Sequence, residues 1–222
     1  MSTLLRVDAS IRLDGSVSRA LADSAEAAWK AEHPDGVVVR RDLGQHPLPA
    51  GAWPALAAAQ VGQQPVANED HLPLAEAKAL AAELANEVKT ADAILLAIPL
   101  YNYGISQHVK TWIDLLLIDR ELVRGPSPTA GRPAIFTLAR GGGYSPGTPK
   151  HGWDHATPYL ERIFGDVLGM NIRTAAAELT LAPVTPGMEE LIDAAKVSET
   201  EAHVSAENHG SVVARELTAN AA

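Results

Sequence analysis

Ala93 to Ile98 is an unbroken apolar run, AILLAI, that leads into Pro99-Leu100-Tyr101-Asn102. A strand with one wet face alternates apolar and polar residues. A continuous run this short reads instead as a strand buried on both faces, as in a parallel sheet. Such a sheet needs helices above and below it, and the flanking sequence offers them. Ser106 opens an amphipathic pattern through Leu117, and Pro73 to Lys89 is rich in Ala, Leu and Glu, all strong helix formers. In this architecture ligands gather where loops leave the carboxyl ends of the strands.

The rest of the chain repeats the alternation. Leu4 to Val7 is a short apolar strand, followed by a loop from Asp8 to Gly15 and a helical pattern from Ser16 or Ser18 to about Lys30. His33-Pro34-Asp35-Gly36 is turn chemistry, and Val37 to Val39 begins a second strand ending near Asp42. Leu43 to about Leu72 has no clear period and carries several prolines, so it reads as a long excursion from the core. Arg120 to Arg132 reads as a loop, Pro133 to Leu138 as the fourth strand and Ala139 to Asp154 as a Gly- and Pro-rich loop. Thr157 to Leu168 is a helix closed by Gly169. Ile172 to about Ala177 is the fifth strand, and Thr185-Pro186 starts a last helix. Its continuation to Leu217 is polar and Ala-rich, free to fray or to pack on a partner, with His203 and His209 expected in solvent. Five strands alternating with helices predict a parallel sheet in the order 2-1-3-4-5 within a single domain over 1–222. The excursion at 43–72 and a helical extension after about 186 are its two additions.

Composition removes several function classes. The formal net charge is −9 and Lys and Arg form no dense cluster, so nucleic acid is not an expected partner. There is no cysteine, which excludes thiol catalysis, iron–sulfur clusters and Cys-based zinc sites. His151 and His155 are four apart but lack further ligands, so no metal site is expected. Nothing reads as a signal peptide or a bilayer-spanning segment; no membrane association and a cytoplasmic protein are the expectation.

Three loops are expected to meet at the carboxyl edge. The first, Asp8 to Ser18, carries Ser10, Ser16 and Ser18 into a helix N-terminus, where free amides and the dipole attract an anion such as phosphate. Simple capping by Ser16 or Ser18 is the competing explanation. Neither G-x-G-x-x-G nor a nucleotide P-loop is present. The second, Leu100 to Gly104, offers Tyr101, Asn102 and Tyr103, two flat rings and a carboxamide; core aromatics and a turn Asn are the alternative. The third, Ala139 to Tyr144, has Gly141, Gly142 and Gly143 in a row, which lets backbone approach a ligand closely, unless it is only a connector. Together these loops suit a flavin mononucleotide.

With those segments in view, the chain resembles the FMN-dependent NADH-azoreductase and NADH:quinone oxidoreductase family. The matching pieces are the Ser10 to Ser18 loop, P-L-Y-N-Y-G-I-S (Pro99 to Ser106), A-R-G-G (Ala139 to Gly142), QHVKTWID (Gln107 to Asp114) and T-P-Y-L-E-R-I-F-G-D-V-L-G-M (Thr157 to Met170). The resemblance covers most of residues 1–180. It implies a flavodoxin-like three-layer sandwich with a five-stranded parallel sheet. It implies an FMN phosphate held by Ser10, Ser16, Val17 and Ser18, and a ring held by Pro99 to Tyr103 and by Ala139, Arg140 and the three glycines. It also implies a homodimer, and hydride transfer from NADH or NADPH through the flavin N5 to a quinone- or azo-type small-molecule acceptor in two half-reactions. The flavin carries the chemistry, so no side chain is catalytic. The segment Asp119 to Gly131 is shorter than the family pattern, and Tyr144 to His155 is longer. Tyr144, His151 and Trp153 therefore become candidates for an altered acceptor pocket. A specialised biosynthetic flavoenzyme, or an electron carrier without its own substrate, are the rival readings.

Overall fold

The computed structural model describes residues 2–64 and 72–220. Its elements are β1 (Thr3–Asp8), α1 (Val17–Glu32), β2 (Val37–Asp42), α2 (Ala52–Gln60), α3 (Leu74–Thr90), β3 (Ala93–Pro99) and α4 (Gln107–Leu116). There follow α5 (Arg120–Val123), β4 (Pro133–Ala139), α6 (Thr157–Leu160), β5 (Asn171–Ala177) and α7 (Ile192–Asn220). The five strands form one parallel sheet in the order β2-β1-β3-β4-β5, as expected. Every residue of β3 is buried, which is why its sequence does not alternate.

The two faces of the sheet are covered by different sets of helices. Leu5, Val7, Ile94, Leu96, Phe136 and Leu138 point to the side of α2, α3, α4 and α6. There Trp112 stacks on Phe164 with ring centroids 5.8 Å apart, and Phe164 meets Phe136 edge-on at 5.7 Å. Leu4, Leu95, Ile135, Ala175 and Ala177 point to the side of α1 and α7. Helix α7 is therefore part of the core and not a frayed tail: Ala202, Ala206, Val213 and Ala214 are buried there. His203 and His209 are correspondingly half-buried and hydrogen-bonded rather than free in solvent. His203 Nδ1 bonds Ser24 Oγ at 2.8 Å, and His209 Nε2 lies 3.3 Å from the Thr174 carbonyl. Burial lowers the His209 pKa from its ordinary value.

Four local expectations need correction. The excursion after Leu43 contains a regular helix, α2, whose Ala52, Ala55 and Leu56 are buried; residues 65–71 of the same excursion lie outside the described residues. The proposed loop from Arg120 begins with the single turn of α5, capped by Asp119. The last helix does not start at Pro186 but at Ile192, after two 3₁₀ turns, Ala182–Val184 and Glu189–Leu191. The helix from Thr157 is α-helical for one turn and then widens into a π-helix, Glu161–Val167. It ends as expected at Gly169, whose φ of 69° is the left-handed conformation glycine adopts without penalty.

Helix α7 approaches α1 closely at Gly210. A Cβ there would stand 2.1 Å from the Ala25 carbonyl oxygen, a backbone atom that cannot step aside. Gly210→Ala is expected to push the helices apart and to cost about 2 kcal/mol despite alanine's better helix propensity. The urea midpoint checks this; an unchanged or raised midpoint contradicts the close approach.

Candidate functional site

The sheet register assembles the site. Asp8 pairs with both Asp42 and Ala97, Pro99 with Ala139, and Ala139 with Ala177. The ladder then runs one step into the loops: Ala9 N–H donates to the Ala97 carbonyl, Leu100 N–H to that of Ala139, and Arg140 N–H to that of Ala177. The loops after β1, β3, β4 and β5 thus leave one rim side by side.

The loop after β1 ends at an open helix terminus. Ser16 occupies the N-cap of α1 in extended conformation, yet its side chain makes no capping bond. Its hydroxyl lies instead 3.4 Å from the Ser18 hydroxyl. The first intrahelical bond runs from Ala20 N–H to the Ser16 carbonyl, so the amides of Val17, Ser18 and Arg19 precede the ladder. By contrast, Ser106 does cap α4, accepting from Val109 N–H at 3.3 Å. Ser10, Ser16 and Ser18 are all buried, so three hydroxyls and a helix N-terminus converge in a sheltered place. Thr137, at the centre of β4, holds the first turn of α1 down by donating to the Ser18 carbonyl at 3.1 Å.

Beneath this loop lies a set of buried ion pairs that the sequence did not disclose. Arg6 is 3% exposed and contacts Asp8 at 3.0 Å, Asp23 at 2.6 Å and Glu26 at 3.0 Å. Burial opposes its charge, but the three carboxylates more than offset this and hold the guanidinium above its ordinary pKa. Arg19 forks onto Asp42, at 2.7 and 2.8 Å, and gives a further bond to the Ser10 carbonyl at 2.7 Å. Gly44 passes so close beneath that a Cβ on it would stand 2.1 Å from the same Ser10 carbonyl oxygen.

The second loop is a tight two-residue turn. Tyr101 and Gly104 exchange both backbone hydrogen bonds, at 3.0 and 2.9 Å, and Asn102 and Tyr103 have φ of 48° and 69°. Asn tolerates this left-handed conformation, whereas for Tyr103 it is strained. The Tyr101 hydroxyl accepts from Ile11 N–H at 3.3 Å, tying the second loop to the first.

In the third loop the glycines serve different neighbours. A Cβ on Gly141 would meet Leu181 Cδ1 at 2.6 Å, one on Gly142 would meet Lys150 Nζ at 3.3 Å, and one on Gly143 would meet Thr148 Cγ2 at 3.1 Å. None of them has a positive φ, so it is space rather than backbone freedom that they provide. Their amides find no acceptor among the described residues, while the Gly141 and Gly142 carbonyls accept from Leu181 and Leu179. Arg140 turns away from the glycines. It bonds Asp154 at 2.8 Å, Thr157 at 2.9 Å and Glu178 at 3.1 Å. Glu178 in turn accepts from the Tyr144 and Ser145 amides, so Arg140 anchors the following loop. Burial pushes the Asp154 carboxyl up, but its bonds to Thr157 and the nearby Arg140 charge outweigh this and hold it below the ordinary range.

One cavity of about 280 Å³ joins the three loops. Of the sequence-predicted residues, Ser10, Ser16, Val17, Ser18, Pro99, Leu100, Tyr101, Ala139 and Gly141 line it. Asn102, Tyr103, Arg140, Gly142 and Gly143 do not, and neither do Tyr144, His151 or Trp153. His151 is exposed on the loop after β4, and Trp153 packs edge-on against Tyr103 at 5.5 Å. A fourth wall was missed: Thr180, Leu181, Pro183 and Val184, from the segment after β5, and Glu199 from α7. Leu179, with φ of 59°, turns that segment back over the Gly loop. Nothing in the local sequence marks it, since the strained residue is a leucine.

A family model described as "Flavodoxin-like fold" matches residues 2–201. The FMN-dependent NADH:quinone oxidoreductase of Frankia casuarinae is 38% identical over 96% of this chain and the whole of that protein. The protein of the same name from Streptomyces avermitilis is 36% identical over 93% of this chain and 94% of its own. The chain belongs to the FMN-dependent NADH:quinone oxidoreductase family. Among solved structures, an azoreductase from Bacillus anthracis str. Sterne superposes with a TM-score of 0.72 at 26% identity, covering 95% of this chain and 99% of that one. In this member of the family, the rim and its cavity lie where the doubly wound fold places ligands.

The ion pair beneath the first loop gives the rim a pH dependence. Burial raises the Asp42 pKa, but the bond from Arg19 and those from the Gln45 and Gly44 amides more than offset it, leaving the carboxyl below its ordinary 3.8. A depressed folded-state value contributes stability that is fully present above the ordinary value and is lost as pH falls through the folded one. The urea midpoint of the wild type is therefore expected to fall steeply below about pH 4, and that of Asp42→Asn to fall less over the same range. Parallel profiles exclude Asp42 as the group responsible.

Proposed function

We propose that this protein is an FMN-dependent oxidoreductase that takes hydride from NADH or NADPH and passes it to a quinone- or azo-type acceptor in two successive half-reactions. The observation that carries this reading is the uncapped N-terminus of α1, ringed by three buried hydroxyls and joined by one cavity to the loops after β3 and β4. Ser10, Ser16 and Ser18, with the amides from Val17 onward, suit a phosphate monoester: a dianion needs several donors at once, and free donors are what this terminus offers. Arg19 is committed to Asp42 and to the Ser10 carbonyl, so it shapes the loop rather than neutralising the ligand directly.

Pro99, Leu100 and Tyr101 on one side, and Ala139 and Gly141 on the other, supply apolar and backbone surface for a flat ring system. Asn102 and Tyr103 stand in the same turn, and Arg140, Gly142 and Gly143 continue the opposite loop. The Gly141 amide at the cavity wall, which has no acceptor among the described residues, suits negative charge on such a ring, and the Gly142 and Gly143 amides continue the same loop. When bound, FMN supplies the two-electron chemistry by exchanging hydride with a nicotinamide and then with an acceptor. The protein's own groups bind, orient and exclude water. The close names and high coverage of the Frankia and Streptomyces relatives support NADH and a quinone as donor and acceptor, and the Bacillus azoreductase supports azo compounds as acceptors. The acceptor side falls to Tyr144, His151 and Trp153, on the loop that Arg140 and Glu178 hold in place. Ile11, Leu13, Leu181 and Val184 are exposed along the same edge of the protein, which supports a second copy covering part of that edge in a homodimer. Use of NAD(P)H as the electron source accords with work in the cytoplasm.

Two measurements test this. Protein loaded with FMN is expected to lose its visible flavin absorbance on anaerobic addition of NADH and to regain it on addition of a quinone; a spectrum unmoved by NADH leaves only an electron carrier or binding module. Gly44→Ala, which drives a Cβ into the Ser10 carbonyl, is expected to weaken FMN binding by about tenfold or more. Equilibrium dialysis at wild-type affinity would remove the serine loop from the site.

A further inference from the structure

Lys150 stands on the loop after β4. Among the described residues its ammonium group makes no ion pair and no hydrogen bond, and it is half-buried. Its surroundings are aromatic: Nζ lies 5.6 Å from the centroid of the Tyr103 ring and 6.0 Å from that of Tyr144. Gly142 makes room for it, since a Cβ there would stand 3.3 Å from the ammonium nitrogen. The nearby carboxylates of Asp154 and Glu178 are engaged by Arg140 and by backbone amides. Ring faces attract a cation but satisfy none of its hydrogen-bond donors, so the three N–H groups of Lys150 remain to be used.

The position of Lys150 is as informative as its aromatic surroundings. Tyr103 belongs to the turn whose Tyr101 lines the cavity, and Gly142 adjoins Gly141, which also lines it. The ammonium therefore stands between the second and third loops at the rim. Beside it Tyr103 and Trp153 present exposed ring surface, 39% and 51% accessible. The loop that carries Lys150 is fixed at both ends by the Arg140–Asp154 and Arg140–Glu178 pairs, and the strained φ of Tyr103 is maintained in part by the bond from His155 N–H to its carbonyl, at 2.9 Å. A cation carried by a held loop beside flat aromatic surface, on a chain of net charge −9, is a selective feature for one kind of molecule.

We propose that Lys150, framed by Tyr103, Tyr144 and Trp153, is a specificity-determining residue that recruits planar aromatic acceptors bearing an anionic group, such as a sulfonate, a carboxylate or an ionised enol. The aromatic body lies against Tyr103 and Trp153, and the acid takes the free N–H groups of the ammonium. This rests on the oxidoreductase reading above and adds the class of acceptor to it.

The test compares FMN-loaded wild type, Lys150→Met and Lys150→Arg. With NADH as donor, 1,4-naphthoquinone and 1,2-naphthoquinone-4-sulfonate serve as neutral and anionic acceptors. Lys150→Met is expected to raise KM for the sulfonate by about tenfold and to leave the neutral quinone within about twofold, while Lys150→Arg retains most of the discrimination. Titration calorimetry with naphthalene-2-sulfonate, which cannot be reduced, gives a reading independent of turnover; its affinity is expected to fall about tenfold in Lys150→Met. An equal change for both quinones, with or without a shifted flavin midpoint potential, overturns the proposal, as does unaltered naphthalene-2-sulfonate binding. If wild type reduces neither quinone, the oxidoreductase reading fails, and the calorimetry still decides the role of Lys150.

Discussion

Parallel pairing with a fixed register is the constraint on which the rest of this structure depends. Because all strands run the same way, every connection that leaves a carboxyl end emerges on one rim. Because Asp8, Ala97, Pro99, Ala139 and Ala177 are linked across the ladder, those connections emerge at the same height. A one-residue slip between β1 and β3 would turn the two faces of β1 over and carry Ser10 away from Tyr101. The apolar content of β3 opposes that slip: its side chains from Ala93 to Ile98 are packed in the core on one side or the other. The site is thus a consequence of core packing transmitted through strand register.

The rim is then made rigid by charges rather than by apolar contact. Arg6, through Asp8, Asp23 and Glu26, joins β1 to α1; Arg19 joins α1 to Asp42 at the end of β2 and to the Ser10 carbonyl; and Arg140 joins the end of β4 to Asp154 and Glu178. Desolvating such groups is costly, and their mutual attraction does little more than offset the cost, so their contribution is geometric definition more than net stability. The strain concentrated here agrees with that view. Asn102, Tyr103 and Leu179 are the described non-glycine residues with positive φ, and all three lie in the loops of this rim. A backbone held in such conformations needs surroundings that over-determine it. The exchanged hydrogen bonds of the Tyr101–Gly104 turn and those between Leu179 to Leu181 and the Gly loop provide them.

The strands, their order and the converging loops were legible from sequence because each rests on a local signal. Buried strands announce themselves by unbroken apolar runs, helix starts by serine, and turns by glycine and proline. The meaning of individual residues was less legible. Ser16 has the sequence signature of a cap, and only the structure shows its hydroxyl turned to Ser18 with the helix end left open. The glycine triplet suggested close approach of backbone to a ligand, and the structure adds that its members also make room for Leu181, Lys150 and Thr148. Helix α2 went unread because its three buried residues are spread thinly among prolines and alanines with little periodic contrast. Arg140, placed by resemblance among the ring-holding residues, directs its side chain to Asp154 and Glu178, which no local motif marks.

Sequence by itself therefore determined the layered parallel architecture, the family and the two loops that bear Ser10 to Ser18 and Pro99 to Tyr103, since these follow from periodicity and from short motifs. Tertiary structure alone decided which residues meet across long separations. Examples are Leu181 over Gly141, Glu199 beside Ser16, α7 seated on α1 through Gly210, and Lys150 between Tyr103 and Tyr144. The physical reason is that such meetings depend on how the chain returns to the rim, and side-chain type at one position carries no information about what packs against it from another.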